Sequence, residues 1–257
     1  MILNFYKYQG TGNDFIIIDI RNLKYNFEEK DFKKLCDRKF GIGADGVMLI
    51  GLHDKFDFHM QFYNPDGSTS FCGNGSRCAV LYCFHQGLCQ RKTSFLTNDG
   101  PHHAEILNSN EVKISLISPI KVDKLDNGDF KANTGSPHYV KFTDNMKNED
   151  FISKCREIRY SDDFKDEGIN VNFVLEKNQG IQVRTYERGV ENETLSCGSG
   201  VTAAALSFAS WKSLNNIINV KTIGGDLKVE YKLMDMAFED VYLIGPAHYV
   251  FRGEFDL

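Results

Sequence analysis

The second half of the chain repeats the first. Thr11-Gly12-Asn13-Asp14-Phe15 leads into an apolar run, and Thr134-Gly135-Ser136-Pro137-His138-Tyr139 does the same 123 positions later. DFKKLCDR from Asp31 returns as DFISKCRE from Asp150 after 119 positions, Gly41-Ile42 as Gly168-Ile169 after 127, and Cys72 as Cys197 after 125. The alternating stretch Phe56–Tyr63 has its counterpart in Ile181–Tyr186. Self-similarity at a nearly constant offset marks a duplicated unit. Any fold for this chain must therefore be built twice.

Within the first copy the pattern predicts strands over Leu3–Tyr8 and Phe15–Ile20, joined by a tight GTGND loop. A helix is expected over Glu28–Arg38 with Phe32, Leu35 and Cys36 facing inward, then strands over Val47–Ile50 and Phe56–Tyr63. The segments behind the two matched cysteines, Ala79–Phe84 and Val201–Trp211, are apolar on every side, so each must be buried all round. Gly87 is placed to end the first. The expected class is α+β, with two pseudosymmetric duplicated domains. Each is a curved, mostly antiparallel sheet wrapped around a central apolar helix, and the active site lies in the cleft between them. The expected division is 1–118 and 119–245, with 246–257 returning to the first domain as a strand over Tyr249–Phe255.

Composition excludes some partners. A formal net charge of −5 offers no basic surface, which argues against nucleic acid and anionic membranes. MILNFYKYQGTGNDF has neither the charged leader nor the cleavage site of a signal peptide, and no apolar run is long enough to span a bilayer, so a cytoplasmic location is expected. Seven cysteines is an odd number with no C-x-x-C pair, and reduced thiols fit best.

FGIGADG contains a formal G-x-G-x-x-G at Gly41, Gly43 and Gly46. It follows a helix and precedes a strand, the reverse of a dinucleotide fingerprint, so nucleotide binding is not expected. Most of the cysteines read as small buried hydrophobes: Cys36, Cys78, Cys83, Cys89 and Cys155. Cys72 and Cys197 differ, because each stands among glycines at a helix start, where N–H groups attract anions and favour a thiolate. A pair of N-caps is the plain alternative, although cysteine caps poorly beside Ser, Asn or Asp; an interdomain disulfide is another. Two thiols flanking one site suit the inversion of a carbon stereocentre. One sulfur removes a proton from one face while the other supplies a proton to the opposite face, and the helix N–H groups stabilise the charge that develops. Such chemistry requires neither cofactor nor metal.

The motifs GTGNDF, FYNPDGS, CGNGSRC, TGSPHYV, YERGVENETLSCGSG and GPAHYVFRGEF, in this order from Tyr8 to Phe255, resemble those of the diaminopimelate epimerase family. The resemblance implies a cofactor-independent enzyme interconverting LL- and meso-diaminopimelate, on the way to lysine and peptidoglycan, as a homodimer acting on a small amino-acid substrate. It implies Cys72 and Cys197 as the acid/base thiols, with Gly73, Asn74, Gly198 and Ser199 offering N–H groups to the reacting carboxylate. Asn13 would contact substrate, while Asn64, Asn170 and Arg188 would hold its distal end. Arg188 suits a carboxylate through its bidentate fork. Glu187 would bind the substrate ammonium or polarise the site, and His138 would help tune a thiol. The chain departs from the family pattern at Ser136, where many members have Asn, and at Gly46, where some have Gln.

Overall fold

The computed structural model describes residues 1–146, 150–214 and 216–257. In chain order the first elements are β1 (Ile2–Gly10), β2 (Asn13–Asp19), α1 (Glu29–Cys36), β3 (Gly46–Gly51), β4 (Phe58–Tyr63) and α2 (Gly73–His85). They are followed by β5 (Lys92–Thr97), β6 (Gly100–Ile106) and β7 (Glu111–Ser115). Then come β8 (Val122–Lys124), β9 (Phe130–Asn133), β10 (Pro137–Phe142), α3 (Phe151–Arg159), β11 (Asn170–Lys177) and β12 (Gly180–Glu187). The chain closes with β13 (Asn192–Thr194), α4 (Gly198–Lys212), β14 (Ile217–Thr222), β15 (Gly225–Met234), β16 (Ala237–Pro246) and β17 (His248–Asp256). These elements form two units, Met1–Ser115 with Gly245–Leu257, and Leu116–Ile244.

In the first unit β17 pairs antiparallel with β1, and the sheet continues β2, β3, β4, β5, β6, β7. The pairs β2/β3 and β4/β5 are parallel and the others antiparallel. The second unit runs β8, β9, β10, β11, β12, β14, β15, β16, again antiparallel except at two pairs, β10/β11 and β12/β14. The duplication is thus written into the hydrogen bonding strand by strand.

Each sheet curls around one helix. α2 touches β1, β2, β3, β4, β6, β7 and β17, and α4 touches β8, β9, β10, β11, β12, β14 and β15. This is why Gly73–Cys83 and Gly200–Ala209 are buried on every face. α1 packs on β3 and α3 on β11. Ile16, Ile18, Val47 and Leu49 face Phe32 and Leu35 of α1 in one layer. With α2 on the other side, β2 and β3 are covered on both faces, which accounts for their unbroken apolar sequences.

Several expected boundaries shift. The first hairpin is tighter than GTGND: only Thr11 and Gly12 lie outside the ladder, at φ of 52° and 82°. Two successive positive φ values match the right-handed twist of the flanking strands, and the register puts Asn13 on β2 opposite Gly10. α1 stops at Cys36 rather than Arg38, because Asp37 is already extended. β4 begins at Phe58, leaving Phe56 outside the strand. α4 begins at Gly198, a turn before the apolar run. Gly87, at φ of 69°, follows the end of α2 as expected. The short strand β13, hairpinned on β12, was not anticipated.

Candidate active site

Cys72 and Cys197 are the N-cap residues of α2 and α4, with extended backbones at φ −131° and −113°. The first intrahelical bonds are Ser76 N–H to the Cys72 carbonyl and Val201 N–H to the Cys197 carbonyl, each 2.8 Å. The N–H groups of each first turn are therefore left without intrahelical partners, at the end where the helix dipole is positive. Both cysteines hold an N-cap position, but only the Cys72 side chain makes a capping hydrogen bond. All seven cysteines are free. Burial pushes the thiols of Cys36 and Cys155 up to about 12 and that of Cys89 up to about 11. It raises those of Cys78 and Cys83 as well. These five are protonated at neutral pH.

In the first unit, Gly75 N–H donates to Cys72 Sγ at 3.3 Å, and Cys72 Sγ lies 3.8 Å from Asn13 Oδ1. Asn74 Nδ2 donates to the same oxygen at 3.4 Å. Asn13 is oriented from behind by donating its Nδ2 to Asp45 Oδ2 at 2.6 Å. Asp45 in turn is held by Arg38 at 2.7 Å, and Arg38 also reaches Asp14 at 2.6 Å. Burial opposes ionisation of Asp14, but hydrogen bonds from Arg38 and Lys7 outweigh it and hold its carboxyl down to about 2. Lys7 is buried and donates to the Gly43 carbonyl. The glycine-rich FGIGADG stretch is thus a scaffold that aims Asn13 at Cys72. A Cβ on Gly46 would sit 2.5 Å from the Phe62 ring, so the glutamine some family members carry cannot fit here while Phe62 is in place. The amide donors of Asn64 are occupied within its own loop, by Ser68 and Ser70.

Arg77 was not anticipated. It is fully buried beneath the start of α2 and donates to Asn74 Oδ1 at 3.0 Å, Pro246 O at 3.3 Å, and Gly73 O and Thr11 Oγ1 at 3.4 Å. Burial pulls its guanidinium down to about 10, which leaves it charged at neutral pH.

In the second unit, Cys197 Sγ is 3.4 Å from Ser199 Oγ, and Ser199 Oγ is 2.9 Å from His138 Nε2. His138 is thus linked to the thiol through Ser199. It is fully buried, and burial, aided by the charge of Arg188, pushes it down to about 3, so the ring is neutral. Ser136, the departure from the family pattern, lies 2.9 Å from His138 Nε2 and accepts from Asn170 Nδ2 at 3.1 Å. Asn170 Oδ1 accepts the Arg188 N–H at 2.9 Å, and Arg188 Nη1 donates to the Glu167 carbonyl at 2.8 Å. Asn170 thus fixes the backbone from which Arg188 projects, and Glu187 ends β12 beside it. The strand β13 is pinned by a two-point ion pair of Arg184 with Glu193, at 2.5 and 2.6 Å. Gly198 and Ser199 form the first turn of α4, and the Ser199 carbonyl accepts from Thr134 Oγ1 at 2.8 Å.

A duplicated sheet-around-a-helix fold with a cysteine at the N-cap position of each central helix defines the class. The same fold occurs in a Bacillus anthracis phenazine biosynthesis protein of the PhzF family, TM-score 0.75 at 14% identity and full coverage of both chains. It also occurs in an Agrobacterium vitis hydroxyproline epimerase, TM-score 0.73 at 13% identity, over 99% of this chain and 91% of that one. The chain belongs to the diaminopimelate epimerase family, whose model matches residues 5–121 and 130–250. A diaminopimelate epimerase of Flavobacterium psychrophilum is 44% identical over 254 residues, spanning 97% of this chain and 99% of that one. One of Aquifex aeolicus is 38% identical over 272 residues, spanning 98% and 97%.

Proposed function

We propose that this chain interconverts LL- and meso-2,6-diaminopimelate by two-base proton exchange, in lysine and peptidoglycan precursor biosynthesis. The observation that carries the reading is that the two repeat-matched cysteines hold the N-cap positions of the two central helices, while the other five thiols lie away from those helix starts with pKa values raised by burial. One sulfur, as thiolate, takes the α-proton: the C–H bond breaks, an S–H bond forms, and the electron pair spreads into the carboxylate. Helix N–H groups at Gly73, Asn74, Gly198 and Ser199 stabilise that charge. The other thiol then gives its proton to the opposite face and is left as thiolate, so the exchanged pair runs the reaction backwards. Asn13 steadies the reacting end. Arg188 clamps the distal carboxylate as a bidentate fork, Glu187 meets an ammonium group, and Asn64 and Asn170 shape the surrounding loops.

Reduced protein incubated with LL-diaminopimelate should generate the meso form, whereas L-proline, which has no distal amino-acid end for Arg188, should be left unchanged. Turnover of proline with inert diaminopimelate would overturn the substrate assignment.

The protein works in the cytoplasm, and none of its described helices is long and apolar enough to cross a membrane. A homodimer is part of the same proposal. In the first unit β17 pairs on one side with β1, and it exposes Tyr249, Val250 and Phe251 in succession. Apolar side chains in a row on such a strand favour pairing with another chain. Light scattering at the mass of one chain, at micromolar concentration, would reject the dimer.

A further inference from the structure

Asn172 sits on β11 with no solvent exposure. Its Nδ2 donates to the Tyr139 carbonyl at 3.0 Å and contacts His138 Nδ1 at 3.1 Å, while its Oδ1 accepts from Thr185 Oγ1 at 2.8 Å. The carbonyl of Tyr139 can only accept, so this end of the amide is the NH2 group and Asn172 cannot be turned round. His138 Nδ1 facing an N–H donor must be the unprotonated nitrogen. In a neutral imidazole the single proton is then on Nε2.

That proton decides the direction of the next bonds. His138 Nε2 lies 2.9 Å from both Ser136 Oγ and Ser199 Oγ. A protonated Nε2 donates to these hydroxyls, so the Ser199 hydroxyl hydrogen has two acceptors left, Cys197 Sγ and Ser136 Oγ, each 3.4 Å away. Ser136 Oγ already accepts from Asn170 Nδ2 at 3.1 Å, which leaves the sulfur as the more open acceptor. An unprotonated Nε2 would instead draw the Ser199 hydroxyl hydrogen to itself, and Ser199 would no longer donate to Cys197 Sγ. Asn172 is also packed against the first turn of α4: a Cβ on Gly200 would come within 2.5 Å of its Oδ1.

We propose that Asn172 is a positioning residue that holds His138 in the Nε2–H tautomer, so that Ser199 donates into Cys197 Sγ and favours its thiolate. Asn172 touches no reacting atom; it acts on the sulfur through three successive hydrogen bonds, by way of His138 and Ser199. The inference rests on Cys197 being one of the two acid/base thiols.

The test uses the full chain in two measurements. Long-range 1H–15N spectra at pH 7.5, with His138 identified by comparison with His138→Gln, should show Nε2 protonated and Nδ1 bare. The Nδ1–H form or an imidazolium at His138 would overturn the proposal. Iodoacetamide labelling read peptide by peptide, with Cys72 as internal reference, should show Cys197 slowed about tenfold in Ser199→Ala and in Asn172→Leu, the size expected for losing a hydrogen bond to a charged group. An unchanged Cys197 rate in Ser199→Ala, the variant expected to fold without difficulty, would overturn it as well. If both measurements agree with the proposal while Cys197→Ser retains full epimerase activity, the two-thiol reading fails and the tautomer assignment stands.

Discussion

Cys72→Ser and Cys197→Ser will each lose about three orders of magnitude in epimerisation rate, within the range a positioned acid or base contributes, and neither will melt below wild type. The two halves of this expectation have separate causes. A serine hydroxyl is a far weaker acid than a thiol, so it is not a base at neutral pH, and losing either sulfur breaks the relay on one face of the carbon. Both positions are N-caps, and serine caps a helix better than cysteine. The substitution should therefore leave stability unchanged or raise it by up to about 1 kcal/mol. Steady-state rates and thermal melts on the same samples check both parts. A variant with near-wild-type turnover would refute the thiol assignment. Low activity accompanied by a large fall in melting temperature would mean that the cysteines are structural.

Arg77→Met should be the most destabilising of the changes near the site. The side chain is fully buried, and its four partners are all neutral oxygens. Methionine would recover the cost of burying a charge but leave those acceptors short of a donor, at about 1–3 kcal/mol for each one left unsatisfied. The acceptors outnumber the single ion, so we expect a net loss of about 3 kcal/mol, or roughly 10 °C in melting temperature for units of this size. The variant should also show slower alkylation of Cys72, by about tenfold if the lost charge is worth one unit of acidity, with no change at Cys197. A melting temperature within about 2 °C of wild type would show that the acceptors find other partners.

The sequence carried the architecture well because the architecture is repetitive. Paired landmarks around Cys72 and Cys197 identified the duplication, and helices with no polar face could only be central. The same patterning misjudged edges governed by single dihedrals, such as the two-residue turn at Thr11-Gly12 and the early end of α1. Residues whose meaning depends on non-local partners were invisible. Arg77 reads as an ordinary basic residue until the Thr11 turn and the Pro246 carbonyl close over it. Asn172 sits in an apolar strand with no sequence sign that His138, 34 positions earlier, offers it a bare nitrogen. FGIGADG was read only as a reversed glycine motif, and its role in aiming Asn13 through Asp45 requires the β2/β3 pairing. His138 was expected to tune a thiol, and the intervening Ser199 hydroxyl appears only in three dimensions.

The most direct test of the two-base account is the reaction of LL-diaminopimelate in D2O, stopped well before equilibrium. The thiol that delivers the proton has equilibrated with solvent, whereas the proton removed stays on the other sulfur. The account predicts deuterium at the inverted carbon of the meso product from the first turnover, with protium retained in the remaining LL substrate. Protium carried into the product, or deuterium entering unreacted LL substrate as fast as product forms, would contradict it.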